Sequence, residues 1–120
     1  WLDGHRLALY LNQKNLPGIR FVPIRYKPNA SVFKDQECGG INFVITDRNK
    51  FKPVKVGLEI ASALRILFPN EWKTDNYSRL WLNSKVFEMF RQGKSVEEIE
   101  KEWANQLNNF KTRRIKFLLY

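Results

Sequence analysis

The sequence predicts a small single domain of the α+β class, with a sheet of a few strands packed against several helices. Helical and strand patterns follow one another without the repeating βαβ order of a parallel sheet. The 120 residues are enough for one domain. The 43% hydrophobic and 14% aromatic content is typical of a globular chain with its own core.

A helix is predicted at the start of the chain. Asp3 is suited to cap it, and Leu7, Tyr10 and Leu11 recur on one helical face. The stretch 15–18, Asn-Leu-Pro-Gly, is expected to end it.

Two strands are predicted next. Residues 19–26 form the first, and Pro23 within it indicates an edge position or a bulge. Residues 41–46 alternate apolar and smaller or polar side chains and form the second. The connecting segment is expected to be a loop anchored on the core by Val32 and Phe33.

A long helix is predicted from Pro53, which favours the first helical turn, to the stop at Pro69. It is apolar on most sides, with Glu59 in its narrow polar strip, so we expect it to lie across the sheet or deep in a core. A loop at 71–76 and a short helix capped by Ser84 follow.

The last helix has the clearest signal, because Ser95 and Glu98 have the spacing of a capping box. Its apolar residues recur every three or four positions, at Val96, Ile99, Trp103, Leu107 and Phe110. The apolar end at 115–120 predicts either a closing strand or final helical turns packed on the core.

The net charge of +9 and the pI near 9.9 favour anionic partners, such as nucleic acid, anionic lipid or cell-wall polymers. No apolar run has the ~20 residues that span a bilayer, so no membrane insertion is expected. The chain begins with Trp1 and not with Met, which predicts either a domain of a longer protein or a processed product.

Nucleophilic and metal chemistry have little support in the sequence. One cysteine and one histidine exclude an internal disulfide and a multi-thiolate zinc site, and we expect neither a metal nor another cofactor. Cys38 with His5 as its base has the residue types of a thiol nucleophile without any motif spacing. A buried structural cysteine is the favoured interpretation.

The other candidate constellations are also weak. Asp35 and Glu37 are compatible with a glycosidase carboxylate pair, although solvated surface is the favoured interpretation. Gly39 and Gly40 lack the patterns of a phosphate-binding loop and favour a tight turn or a close approach of helix and strand. The terminal Arg113 and Arg114 suit either a helix C-terminus or a domain contact.

A basic stretch with interleaved aromatic residues leaves nucleic-acid binding open as an alternative. Its cationic and phenolic members are Arg20, Arg25, Tyr26, Lys27 and Lys34. However, Phe21 and Phe33 lie where core anchors are expected, and no nucleic-acid-binding motif is present.

Several motifs in order along the whole chain carry a family resemblance. They are Trp1-Leu2-Asp3-Gly4, Leu16 to Phe21, Tyr26-Lys27-Pro28, Cys38-Gly39-Gly40, Thr46-Asp47-Arg48, Phe51 to Val54, Leu67-Phe68-Pro69 and Arg113 to Tyr120. This pattern resembles the C-terminal domain of the NamZ-like (YbbC-like) family, long catalogued as a domain of unknown function. Asp35 departs from the glycine that the family pattern leads us to expect there.

The resemblance implies an exo-β-N-acetylmuramidase, a glycoside hydrolase that releases terminal N-acetylmuramic acid from peptidoglycan fragments outside the cytoplasm. It places the catalytic glutamate in an N-terminal Rossmann-like domain and makes residues 1–120 an auxiliary domain that closes the substrate cleft and is inactive alone. No catalytic residue transfers to this chain. The expected contacts with the muramyl sugar are Arg25, Tyr26, Lys34, Glu37 and Asn42.

Two alternatives to this interpretation remain open at this point. One is a basic nucleic-acid-binding module. The other is a purely structural domain whose apolar face docks on a partner domain.

Overall fold

The computed structural model describes residues 1–74, 81 and 83–119. It confirms the α+β class, since a two-stranded antiparallel sheet is combined with helices. The chain groups into two compact units, Trp1–Lys73 and Thr74–Tyr120. The first contains α1 (Gly4–Gln13), β1 (Ile19–Tyr26), β2 (Cys38–Ile45) and α2 (Pro53–Leu67), and the second contains α3 (Ser84–Arg91), α4 (Val96–Arg114) and a short 3₁₀ turn (Ile115–Phe117).

Helix α1 begins where the sequence predicts. The Asp3 carboxylate accepts hydrogen bonds from the backbone N–H groups of His5 at 2.9 Å and Arg6 at 3.1 Å. These bonds satisfy two of the N–H groups that a helix leaves unpaired at its start. Leu7 and Leu11 then point into the core and are almost completely buried.

Strands β1 and β2 form an antiparallel hairpin with an unbroken register from Ile19 opposite Ile45 to Tyr26 opposite Cys38. The predicted bounds of β1 are confirmed. The prediction for β2 is wrong at its start, because the strand already begins at Cys38 and includes both glycines. Pro23 is at an edge, as expected, and pairs with Ile41 without a bulge.

Glycines on both sides, Gly4 of α1 and Gly39 of β2, allow the start of the helix to approach the strand at backbone distance. A Cβ atom on Gly4 would collide with the carbonyl oxygen of Gly40, and one on Gly39 would collide with the carbonyl oxygen of Leu2. The close helix–strand approach predicted for the glycine pair is therefore present, with a third glycine on the helix side.

A second tie holds the other half of α1 against β1. The side-chain amide of Asn12 donates to the carbonyl oxygen of Phe21 at 2.8 Å, and its oxygen accepts from the Phe21 N–H at 3.0 Å. Both polar groups of one strand residue are thus satisfied by one helical side chain.

The core of the first unit lies around α1, which contacts both the sheet and α2. Its buried residues are Leu7, Ala8, Leu11, Leu16, Ile19, Phe21, Val56, Ala63 and Phe68. Helix α2 joins this core but packs on α1, so it is α1 that lies across the sheet. Glu59, expected in a polar strip, is buried and forms an ion pair with Lys14 at 3.7 Å.

In the second unit, α3 is capped by Asn83 and not by Ser84, because the Asn83 side chain accepts from the Val86 N–H at 3.0 Å. The helix is followed by Gly93 at φ +81°, a backbone conformation that glycine adopts without strain. Of the predicted loop, residues 71–74 are turn and coil, and 75–76 lie outside the described residues.

Helix α4 has the predicted capping box. Ser95 accepts from the Glu98 N–H at 3.2 Å, and the Glu98 carboxylate accepts from the Ser95 N–H at 2.9 Å. The apolar stripe is buried at Val96 and Ile99, whereas Leu107 and Phe110 are exposed.

The prediction of a closing strand is wrong, because the chain continues from α4 into the 3₁₀ turn. The expected burial of this end is also wrong, since Ile115, Phe117, Leu118 and Leu119 are exposed. The basic last turn of α4, which includes Arg113 and Arg114, favours helical structure because cations stabilise the negative end of a helix dipole. Tyr120 lies outside the described residues.

We expect Gly4→Ala to lower the free energy of unfolding by about 1–3 kcal/mol, because the added methyl meets backbone that cannot rotate away. Gly57→Ala is the matched control. Gly57 lies exposed in α2 with open space around its Cβ position, so this change should raise stability by about 0.5–1 kcal/mol. Urea unfolding of both variants measures the difference, and equal effects would contradict the close contact.

The capping box predicts a pH dependence at the start of α4. Hydrogen bonds from the backbone and side chain of Ser95 hold the pKa of Glu98 below its ordinary value. This lowered pKa adds stability above the ordinary pKa, and that stability is lost as the pH falls through the folded value. In an NMR titration, Ser95→Ala should raise the Glu98 pKa, because the change removes the hydroxyl hydrogen bond and keeps the backbone one. An unchanged pKa would refute the contribution of the Ser95 side chain.

Candidate functional site

An open cleft of about 650 Å³ lies where α1 begins beside the Tyr26–Cys38 end of the hairpin. It lies wholly within the first unit. Its lining residues are Trp1, Leu2, Asp3, Gly4, His5, Pro23, Ile24, Arg25, Glu37, Cys38 and Gly39. The cleft exists because the glycine contact brings the start of α1 directly onto the start of β2.

The hairpin loop 27–37 contributes Glu37 to the cleft and is held by its own backbone. The Asp35 N–H donates to the Pro28 carbonyl at 2.8 Å, and the Lys34 N–H donates to the Ser31 carbonyl at 3.1 Å. The predicted anchors, Val32 and Phe33, are both exposed, so that prediction is wrong. Turn hydrogen bonds hold the loop where apolar burial was expected.

Asp35 has a φ of +60°, in the left-handed region that glycine favours. A glycine, which the family resemblance led us to expect here, would adopt this conformation without strain. Aspartate enters this region more readily than most residues with a side chain, so the loop keeps its turn with Asp35 in place.

Arg25 and Glu37 are the two predicted site residues that the fold brings together in the cleft. The Arg25 guanidinium and the Glu37 carboxylate form an ion pair at 3.0 Å. Their side chains are 84% and 67% exposed. Because water screens such a pair, it adds little to stability, and both groups remain accessible to a ligand.

The other three predicted site residues lie elsewhere. Tyr26 and Asn42 are exposed on the face of the sheet opposite α1, and the register separates them along that face. Lys34 lies exposed in the hairpin loop. The cleft and the outer sheet face are thus distinct surfaces of the first unit.

Cys38 and His5 both line the cleft, but the structure gives no arrangement for nucleophilic catalysis. The Cys38 thiol donates to the Gln36 carbonyl at 3.6 Å, which ties it to the loop. Among the described residues, no hydrogen bond joins Cys38 to His5. Cys38 is partly buried, whereas the sequence favoured a fully buried structural cysteine.

The two carboxylates that line the cleft, Asp3 and Glu37, are each engaged by another group. Asp35 does not line the cleft, and Glu37 is engaged by Arg25. Asp3 does line it, but its side chain caps α1. In the part of the chain that the structure describes, no group of three His, Cys, Asp or Glu side chains could hold a metal ion.

Within the same described part, no helix is both long and apolar enough to cross a bilayer.

The basic stretch also contributes to the fold. Arg20 donates to the Ile19 carbonyl at 2.9 Å. Phe21 is a buried core residue and is not available to stack on a base.

The sequence interpretation missed Trp1 as a cleft residue. Its ring packs edge-on against Phe68 at 5.7 Å between centroids, while 62% of the residue stays exposed. A large aromatic surface held in one place beside polar groups is a common feature of binding sites. The only signal in the sequence was an aromatic residue two positions before Asp3, which caps α1.

We expect Arg25→Ala and Glu37→Gln to change the free energy of unfolding by no more than about 0.5 kcal/mol, since the pair is exposed. Thermal unfolding of both variants checks this. A loss above 2 kcal/mol from either change would show that the pair is structural and would remove it as a free ligand-binding group.

Comparison with known proteins gives consistent matches. The family model described as "Exo-beta-N-acetylmuramidase NamZ, C-terminal" matches residues 1–120. The chain is 31% identical to the peptidoglycan beta-N-acetylmuramidase NamZ of Bacillus subtilis (strain 168), over all of this chain and 30% of that protein.

A solved structure has a similar fold. A DUF1343 family protein from Bacteroides fragilis NCTC 9343 superposes on the whole chain with a TM-score of 0.87 and 26% identity, and the match covers 33% of that protein. The chain therefore spans about a third of the length of the relatives it matches.

Proposed function

The chain belongs to the family of NamZ C-terminal domains, and we propose that it is the non-catalytic, substrate-contacting part of a peptidoglycan-fragment exo-β-N-acetylmuramidase. The observation that carries this proposal is the composition of the cleft. It combines an exposed ion pair, Arg25 with Glu37, with the exposed residue Trp1. Its two carboxylates are both engaged, Glu37 by Arg25 and Asp3 by the N–H groups that it caps. Such a surface suits binding better than hydrolysis.

The catalytic groups are proposed to come from a preceding region. Glycoside hydrolysis generally needs two carboxyl groups on opposite sides of the scissile bond, about 5–9 Å apart. The two carboxylates that line the cleft are otherwise engaged, Asp3 as a helix cap and Glu37 with Arg25. The matched relatives are about three times as long as this chain. The resemblance stated above assigns the catalytic glutamate to that additional length.

The cleft chemistry suits a muramyl sugar. Its lactyl carboxylate is an anion that an arginine guanidinium binds well, and Arg25 presents its guanidinium to solvent in the cleft. Glu37 can accept hydrogen bonds from sugar hydroxyl groups while it holds Arg25 in place. The exposed ring of Trp1 provides a flat apolar surface for a sugar face.

The remaining predicted contacts receive a different proposed role. Tyr26 and Asn42 lie on the outer sheet face, and Lys34 lies in the loop. We assign these three to contacts with the preceding region around the substrate, since none lines the cleft of this chain.

The test uses the longer polypeptide that carries this chain behind its preceding region. Arg25→Ala should raise KM for a chromogenic N-acetylmuramide about tenfold, the loss expected for one exposed charge-assisted hydrogen bond, with kcat nearly unchanged. Arg48→Ala is the matched control, because Arg48 is exposed in the turn beyond the opposite end of the hairpin. An unchanged KM in Arg25→Ala would refute the assigned contact.

A further inference from the structure

The two outer edges of the hairpin are unlike each other. At the β1 edge, Asn12 occupies both the N–H and the C=O of Phe21. Two residues along, Pro23 has no N–H to offer and its nitrogen faces the same edge, because backbone groups of alternate residues point the same way. The β1 edge is therefore closed to a further strand.

The same bonds fix which groups of β2 point outward. The Phe21 N–H points away from β2, so Phe21 and Phe43 are a pair without mutual hydrogen bonds. The N–H and C=O of Phe43 must then also point away from β1, as must those of Ile41 and Ile45. Within the described residues, none of these three has a hydrogen-bond partner at that edge.

The side chains of β2 do nothing to protect this edge. The strand Cys38–Ile45 contains no charged residue and no proline. Phe43, Val44 and Ile45 are 51%, 41% and 47% exposed. An exposed, uncharged apolar edge with unpaired backbone groups is a template for strand addition, and proteins normally block or cover it.

We propose that the free edge of β2 pairs with an extended segment of the same polypeptide, drawn from the region before Trp1, which makes it a third strand of the sheet. This inference rests on the proposed function, which supplies that region. The matched relatives have about twice the length of this chain outside the match. The Leu2 carbonyl lies against Gly39, so a preceding segment enters the domain beside the first residues of β2.

The pairing partner is defined by this chemistry. Its backbone meets the outward N–H and C=O groups of Ile41, Phe43 and Ile45. Its side chains alternate between the sheet face of Phe43 and Ile45 and the opposite face with Val44. Apolar side chains on both faces therefore suit it, and the added strand covers the exposed apolar surface.

Amide hydrogen exchange in the longer polypeptide tests the pairing. The Ile41, Phe43 and Ile45 amides should exchange at least about a hundredfold more slowly than unprotected amides, which corresponds to an opening free energy of ~3 kcal/mol. The Phe21 amide, bonded to Asn12, is the internal reference for a protected outer edge. Nuclear Overhauser contacts from the Phe43 and Ile45 amides to residues before Trp1 should identify the strand.

Three results would overturn the inference. One is exchange of the three amides at the rate of exposed backbone while the Phe21 amide stays protected. Another is protection that appears only with a concentration-dependent dimer, which would assign the edge to a second copy of the chain. The third is protection of the three amides with nuclear Overhauser contacts only to side chains, because a paired strand would give contacts to backbone.

The test of the third strand and the test of the proposed function can fail independently. Full muramidase activity with unprotected β2 amides would reject the third strand alone. A protected edge in a polypeptide that does not hydrolyse muramides would reject the function alone.

Discussion

The backbone contact between Gly4 and Gly40 is the constraint on which the rest of the first unit depends. A side chain at Gly4 or at Gly39 would push the start of α1 away from β2. The contact places Asp3 and His5 of the helix start beside Arg25 and Glu37 of the hairpin, and this neighbourhood forms the cleft. The position of α1 on the hairpin and the shape of the candidate site therefore both depend on this contact.

Around this contact, the two surfaces of the hairpin have separate roles. The cleft is polar, and its ion pair is too exposed to serve stability, which leaves it available for a ligand. The β2 edge is apolar and unpaired within the described residues, whereas Asn12 and Pro23 close the β1 edge. The two proposed roles, substrate binding in the cleft and pairing with a preceding region along the β2 edge, account for both surfaces.

The sequence predicted best what local chemistry decides. Asp3 and the box of Ser95 with Glu98 act through groups within three residues, so their helix starts are confirmed. Burial was harder to predict, because it depends on distant partners. The burial of Glu59 depends on Lys14, which lies far away in sequence.

The candidate site shows the same division. The glycine pair was compatible with a turn or with a close approach, and only the position of Gly4 decides between them. Arg25 and Glu37 meet because of the hairpin register, which no single segment encodes. Adjacent residues of a strand point to opposite faces, so Tyr26 could not share the surface of Arg25.

The central claim is that this chain binds substrate without hydrolysing it. Turnover of a chromogenic N-acetylmuramide by the purified 120-residue chain, measured beside the longer polypeptide at equal concentration, tests it most directly. The account predicts hydrolysis by the longer polypeptide and none above background by the chain, whose cleft carboxylates, Asp3 and Glu37, are engaged in a helix cap and an ion pair. Hydrolysis by the chain alone would contradict the account.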